Sequence, residues 1–141
     1  MVGLVIATHG HLADELVSTA EQIVGKLAAV ATCLVEPGAA PTEIRAKVRD
    51  AVRSVDSGDG VIVLADLFGG TPCNQSLTML GQLELEVLTG VNLPMLLKAN
   101  SLRHGALSLQ ALAQALAEYG QKNITCASAL LRDSQTPRTP T

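Results

Sequence analysis

Three short and almost wholly apolar runs, Val2 to Thr8, Ala28 to Val35 and Val61 to Ala65, restrict this chain to very few architectures. Each is too short for a typical helix and carries β-branched residues, the pattern of a strand buried on both faces. Between them the apolar spacing lengthens to that of a helix. Leu12, Leu16, Ala20 and Ile23 recur along one face, with Asp14 and Glu15 in the first turn and Gly25 near the end. After Glu36-Pro37-Gly38, Pro41 and Glu43 mark a second helix start. Ile44, Val48, Ala51, Val52 and Val55 line its apolar side, opposite Arg45, Lys47, Arg49, Asp50 and Arg53.

Beyond the third run, Thr71-Pro72 reads as an N-cap followed by a first-turn proline, opening a helix that reaches about Leu83. Glu84 to Thr89 gives a fourth short strand, and Gly90 to Pro94 restarts a helix. Leu107 to Tyr119 contains another, which Gly120 closes, and Ile124 to Leu131 is the last plausible strand. Strands alternating with helices predict an α/β fold: an open, doubly wound, mostly parallel sheet in a flavodoxin-like three-layer sandwich. Residues 1–131 are expected to form one domain, and the Thr/Pro-rich segment 132–141 a disordered tail or linker remnant.

Composition narrows the functions. The chain has no Trp and only Tyr119 and Phe68 as aromatic residues, and its formal charge is −3. Single-stranded nucleic acid is held on stacked rings and duplexes by a basic field, so nucleic acid is not an expected partner. The three cysteines, Cys33, Cys73 and Cys126, are widely spaced without a Cys-x-x-Cys pair, which suits a reducing compartment. The N-terminal MVGLVIATHG lacks a basic leader region and its apolar run is short. A cytoplasmic protein with no direct membrane insertion is expected.

In sheets of this kind ligands bind beyond the carboxyl ends of the strands, where the chain order reverses. His9 and Asp66 both sit at such ends, on strands that a flavodoxin-like order makes neighbours. A carboxylate bonded to one imidazole nitrogen fixes the tautomer and leaves the other nitrogen with a nucleophilic lone pair. The Gly69-Gly70-Thr71 turn offers backbone N–H groups to an anion. Together these describe a site able to carry a phosphoryl group on histidine. On residues alone, a lone histidine at a strand end is more often a structural hydrogen-bonding residue, and an aspartate placed as Asp66 is can simply cap the following turn. A receiver domain phosphorylated on Asp66 fits poorly, because Thr8-His9-Gly10-His11 stands where an acidic pair would hold magnesium. His9-x-His11 has no acidic or cysteine cluster beside it, so no metal is expected. Cys73 reads as a packing residue and His104 as surface.

The segments VIATHGHLA, GVIVLADLFGGTPCNQS and TGVNLPMLL resemble, in order, those of the mannose-type enzyme IIA of the bacterial phosphoenolpyruvate-dependent sugar phosphotransferase system. The resemblance covers essentially everything before the tail. It implies that His9 accepts a phosphoryl group from HPr on Nε2 and passes it to an enzyme IIB, with Asp66 facing Nδ1. It also implies that Thr71 and the amides of Gly69 and Gly70 receive the phosphate, and that no cofactor is needed. It further implies an antiparallel C-terminal strand and a homodimer formed through that region. The phosphotransfer subunit of dihydroxyacetone kinase shares the nucleophile but lacks a turn like Phe68 to Asn74, which favours the mannose type. The tail resembles the start of the linker that joins IIA to IIB in fused members, so a separate IIB partner is expected. The alternative is a regulatory phosphocarrier module that signals through its phosphorylation state without a sugar permease.

Overall fold

The computed structural model describes residues 1–135. Four strands, β1 (Gly3–His9), β2 (Val30–Val35), β3 (Val61–Ala65) and β4 (Leu85–Leu88), form one wholly parallel sheet in the order β2-β1-β3-β4. The chain starts in the middle, steps outward to β2, then crosses β1 to β3. That reversal puts the carboxyl ends of β1 and β3 side by side, with His9 and Asp66 at their tips.

Helices cover both faces. On one side Leu4, Ile6, Ile62 and Leu64 pack with α1 (Leu12–Val24), α4 (Leu93–Leu102) and α5 (Leu109–Lys122). On the other, Val5, Ala7, Val61 and Val63 meet Ile44, Val48 and Val52 of α2 (Pro41–Val55), together with Met79. Side chains alternate along a strand, so the two cores use the even and odd residues of β1 respectively. Each large aliphatic side chain buried this way contributes about 1.5–3 kcal/mol relative to exposure. The same alternation decides the chemistry: Thr8 turns inward under α1, and His9 falls on the side of α2 and the short α3 (Thr71–Leu77).

Local signals explain most boundaries. Pro41 opens α2 and Glu43 lies in its first turn. Asn92 caps α4 by accepting from Met95 N–H, and Ser108 caps α5 by accepting from Ala111 N–H. Gly120 does not close α5 but lies buried within it. A side chain there would strike the Met95 methyl, and its carbonyl accepts from Asn92 Nδ2. Small size is what this position needs, not a turn.

The C-terminal region departs from expectation. No antiparallel strand forms at 124–131; residues 127–135 are instead the helix α6 (Ala127–Gln135). Only Ile124 and Thr125 favour a strand, whereas Ala127, Ala129, Leu130 and Leu131 are strong helix formers. An added edge strand would leave half its backbone groups to solvent, while a helix satisfies them internally. α6 takes in residues 132–135 of the segment expected to be a tail, and 136–141 lie outside the described residues. Among the described residues no helix is long and apolar enough to cross a membrane.

Candidate active site

His9 is the last residue of β1, paired in register with Val35 of β2. Gly10 follows at φ +56, a conformation that glycine adopts without penalty, and its N–H donates to Val35 carbonyl. The chain then turns directly into α1, whose Ala13 N–H donates to the buried Thr8 hydroxyl at 2.8 Å. Thr8 thus caps α1 from inside the sheet and pins both sides of the turn that presents His9.

Asp66 follows β3 and reaches across to β1. Its Oδ2 lies 2.8 Å from His9 Nδ1 and accepts from the His9 backbone N–H at 3.0 Å, while Oδ1 accepts from Leu67 N–H at 3.0 Å. The Asp66 side chain is 9% exposed and the imidazole 48% exposed. Burial pushes the Asp66 carboxyl up, but the hydrogen bonds and charge of His9 and the Leu67 N–H outweigh it and hold it below its ordinary value. An ionised carboxylate only accepts, so the Nδ1 opposite it carries the proton. Nε2 is left with the lone pair. The ring is therefore fixed in the tautomer that exposes a nucleophilic nitrogen at the sheet's carboxyl edge.

That shift has a sign. A depressed carboxyl adds stability above its unfolded value, near 4, and loses it as pH falls through the folded value. Urea midpoints of the wild type and Asp66→Asn should differ most at neutral pH and converge as pH drops below about 4. A gap that stays constant through that range contradicts the carboxylate's role.

The turn after Asp66 supplies the opposite wall. Gly69 has φ +82, and its carbonyl accepts from Asn74 Nδ2 at 3.0 Å, which ties the turn to the helix that follows. Gly70, not Thr71, is the N-cap of α3, and no side-chain cap bond is made there. Thr71 is the first helical residue and lines a cleft of about 390 Å³ with His9, Gly10, Val35, Glu36 and the Pro37-Gly38-Ala39 loop. The Thr71 hydroxyl is not spent on capping and remains available to a ligand. α3 is also shorter than expected, ending at Leu77 in a turn that buries Met79.

Gly70 has a second role that sequence reasoning missed. A Cβ there would come within 2.9 Å of His9 Cε1 and 3.1 Å of Leu67 Cδ1. The backbone at this position is extended, φ −73 and ψ 163, and admits any residue. Gly70→Ala should therefore fold normally yet displace the imidazole, and misplacement by about 1 Å costs on the order of 10²-fold in rate. Single-turnover phosphoryl transfer measures this; an unchanged rate in the folded variant removes the steric role. The contributions of Thr8 and Asn74 were also missed, and their only sequence trace was their place beside the candidate residues.

The site thus gathers His9, Asp66, Gly69, Gly70 and Thr71 at one edge of the sheet. His11 and His104 are exposed, and Cys73 is buried in α3. A larger hollow of about 480 Å³ is lined in part by Phe68, Cys73 and Val87 and does not include His9.

Residues 3–117 match the family described as EIIA-man, PTS system fructose IIA component. The chain is 31% identical over 124 residues to the PTS system mannose-specific EIIAB component of Escherichia coli K12, covering 87% of this chain and 38% of that protein. It therefore spans well under half the length of that relative. It is 27% identical over 137 residues to the PTS system fructose-specific EIIA component of Bacillus subtilis, covering 96% of this chain and 93% of that one. Among solved structures, the mannose/sorbose specific IIA subunit from Enterococcus faecalis superposes with a TM-score of 0.79 at 29% identity, covering 99% and 97% of the two chains.

Proposed function

Because the chain belongs to the EIIA-man family of phosphotransferase-system IIA components, we propose that it carries a phosphoryl group on Nε2 of His9, taking it from HPr and passing it to an enzyme IIB in sugar uptake. The observation that carries this reading is the 2.8 Å contact between His9 Nδ1 and a carboxylate held ionised, which leaves Nε2 as the exposed nucleophile.

The transfer is an exchange between two imidazoles. The Nε2 lone pair forms a bond to phosphorus as the bond to the donor's nitrogen breaks, and the leaving electron pair returns to that nitrogen. The proton on Nδ1 stays in place. The His9 ring, substituted on one nitrogen and protonated on the other, becomes formally cationic, and Asp66 stabilises that charge. We assign the Thr71 hydroxyl, which lines the same cleft as His9, and the amides of the Gly69-Gly70 turn as donors to the phosphoryl oxygens. Passing the group to enzyme IIB reverses the same steps, so this chain needs to bind neither sugar nor cofactor. We place the carrier in the cytoplasm, where phosphoenolpyruvate and HPr are found, and read it as a homodimer. Ile124, Leu130 and Leu131 stand exposed in the C-terminal region, an apolar surface that a second copy would cover.

Supplying phosphoenolpyruvate, enzyme I and HPr to the purified chain should produce one acid-labile, alkali-stable phosphate per chain. Failure to label with active upstream components overturns the reading.

A further inference from the structure

The cleft that holds His9 carries an unneutralised charge of its own. Among the described residues, its lining includes one acidic residue, Glu36, and no lysine or arginine. Glu36 directly follows Val35, the residue paired with His9 across β1 and β2, and borders the same cleft as the nucleophile. Its side chain is exposed, and among the described residues no hydrogen bond or ion pair engages its carboxylate. Glu36 also borders the outer side of β2 together with Lys47, and among the described residues no ion pair joins the two. On the other side of the imidazole stands Asp66, which is already committed to Nδ1.

We propose that Glu36 tunes how readily phosphorylated His9 gives up its phosphoryl group. This rests on the phosphocarrier reading and adds a residue to it. Phosphorylation adds one net negative charge at His9, two on the phosphoryl oxygens less the positive charge on the ring, in a cleft whose rim already holds one. Like-charge repulsion raises the energy of the phosphorylated state relative to the free imidazole, and hence its tendency to transfer. Glu36 touches neither reacting nitrogen and forms no bond in the step; it acts through its field. For exposed charges about 10 Å apart in a water-like medium at low ionic strength, the effect on the equilibrium is about 1.5- to 2-fold.

The test equilibrates the full-length chain with HPr, enzyme I and a fixed ratio of phosphoenolpyruvate to pyruvate, and reads the phosphorylated fraction of His9 by 31P NMR. At low ionic strength Glu36→Gln should raise the ratio of phosphorylated to free chain about 1.5- to 2-fold, and Glu36→Asp should leave it near wild type. The gain should largely vanish at about 1 M salt, where the Debye length falls to about 3 Å. An unchanged ratio in Glu36→Gln, or a gain that persists in high salt, overturns the tuning role while leaving the phosphocarrier reading intact. A wild-type chain that takes up no phosphate overturns both.

Discussion

His9→Gln should abolish phosphorylation: no label above background when phosphoenolpyruvate, enzyme I and HPr are supplied, with the fold unchanged. The expectation is total because the site has a single nitrogen nucleophile. Neither exposed histidine substitutes for His9, since His11 begins the turn into α1 and His104 lies near Met1 and Val2 at the start of β1, and among the described residues neither is bonded to a carboxylate. The fold should survive because the imidazole is about half exposed and β1 is held by the buried residues before it. Glutamine keeps a donor for Asp66 but has no nucleophilic lone pair. His11→Gln and His104→Gln should label at the wild-type rate. Undiminished labelling of His9→Gln would move the chemistry to another residue.

Asp66→Asn should fold and still accept phosphate, but on the order of 10²-fold more slowly. An asparagine amide can turn its NH2 toward Nδ1. That favours the tautomer with the proton on Nε2, where the nucleophilic lone pair is required. The variant also loses the negative charge opposite the ring that becomes cationic during transfer. Two backbone contacts are partly lost as well, since Oδ2 accepts from His9 N–H and Oδ1 from Leu67 N–H. A rapid-quench measurement of transfer from phosphorylated HPr separates this from a binding defect: the maximal rate should fall much more than the apparent affinity for HPr. A rate equal to wild type rejects the tautomer assignment.

Much of this was legible in the residues, and what was not has physical reasons. The buried strands announced themselves because both faces of a parallel sheet are covered, which forces apolar runs such as Val61 to Ala65. The sheet order followed from the alternation, and with it the approach of His9 to Asp66, which lie 57 residues apart. Thr71 was misread as an N-cap because Thr-Pro fits that signal. Gly70 took the position instead, since its backbone is already extended there and it must carry no side chain beside His9. Such steric clearance depends on a neighbour distant in sequence, which no local pattern records. Gly120 misled in the same way, its small size answering to Met95 and not to a helix end. The segment 124–131 was read as a strand on its apolar content, yet apolar content alone does not separate strand from helix. The helix propensity of Ala127 to Leu131 decided it.

The most direct measurement of the central claim is the identity of the phosphorylated atom. After labelling through HPr, 31P NMR of the intact chain, together with mapping of the labelled peptide, should show a single phosphate on Nε2 of His9, labile in acid and stable in alkali. Phosphate on Nδ1, or an acid-stable, alkali-labile acyl phosphate on Asp66, would contradict it.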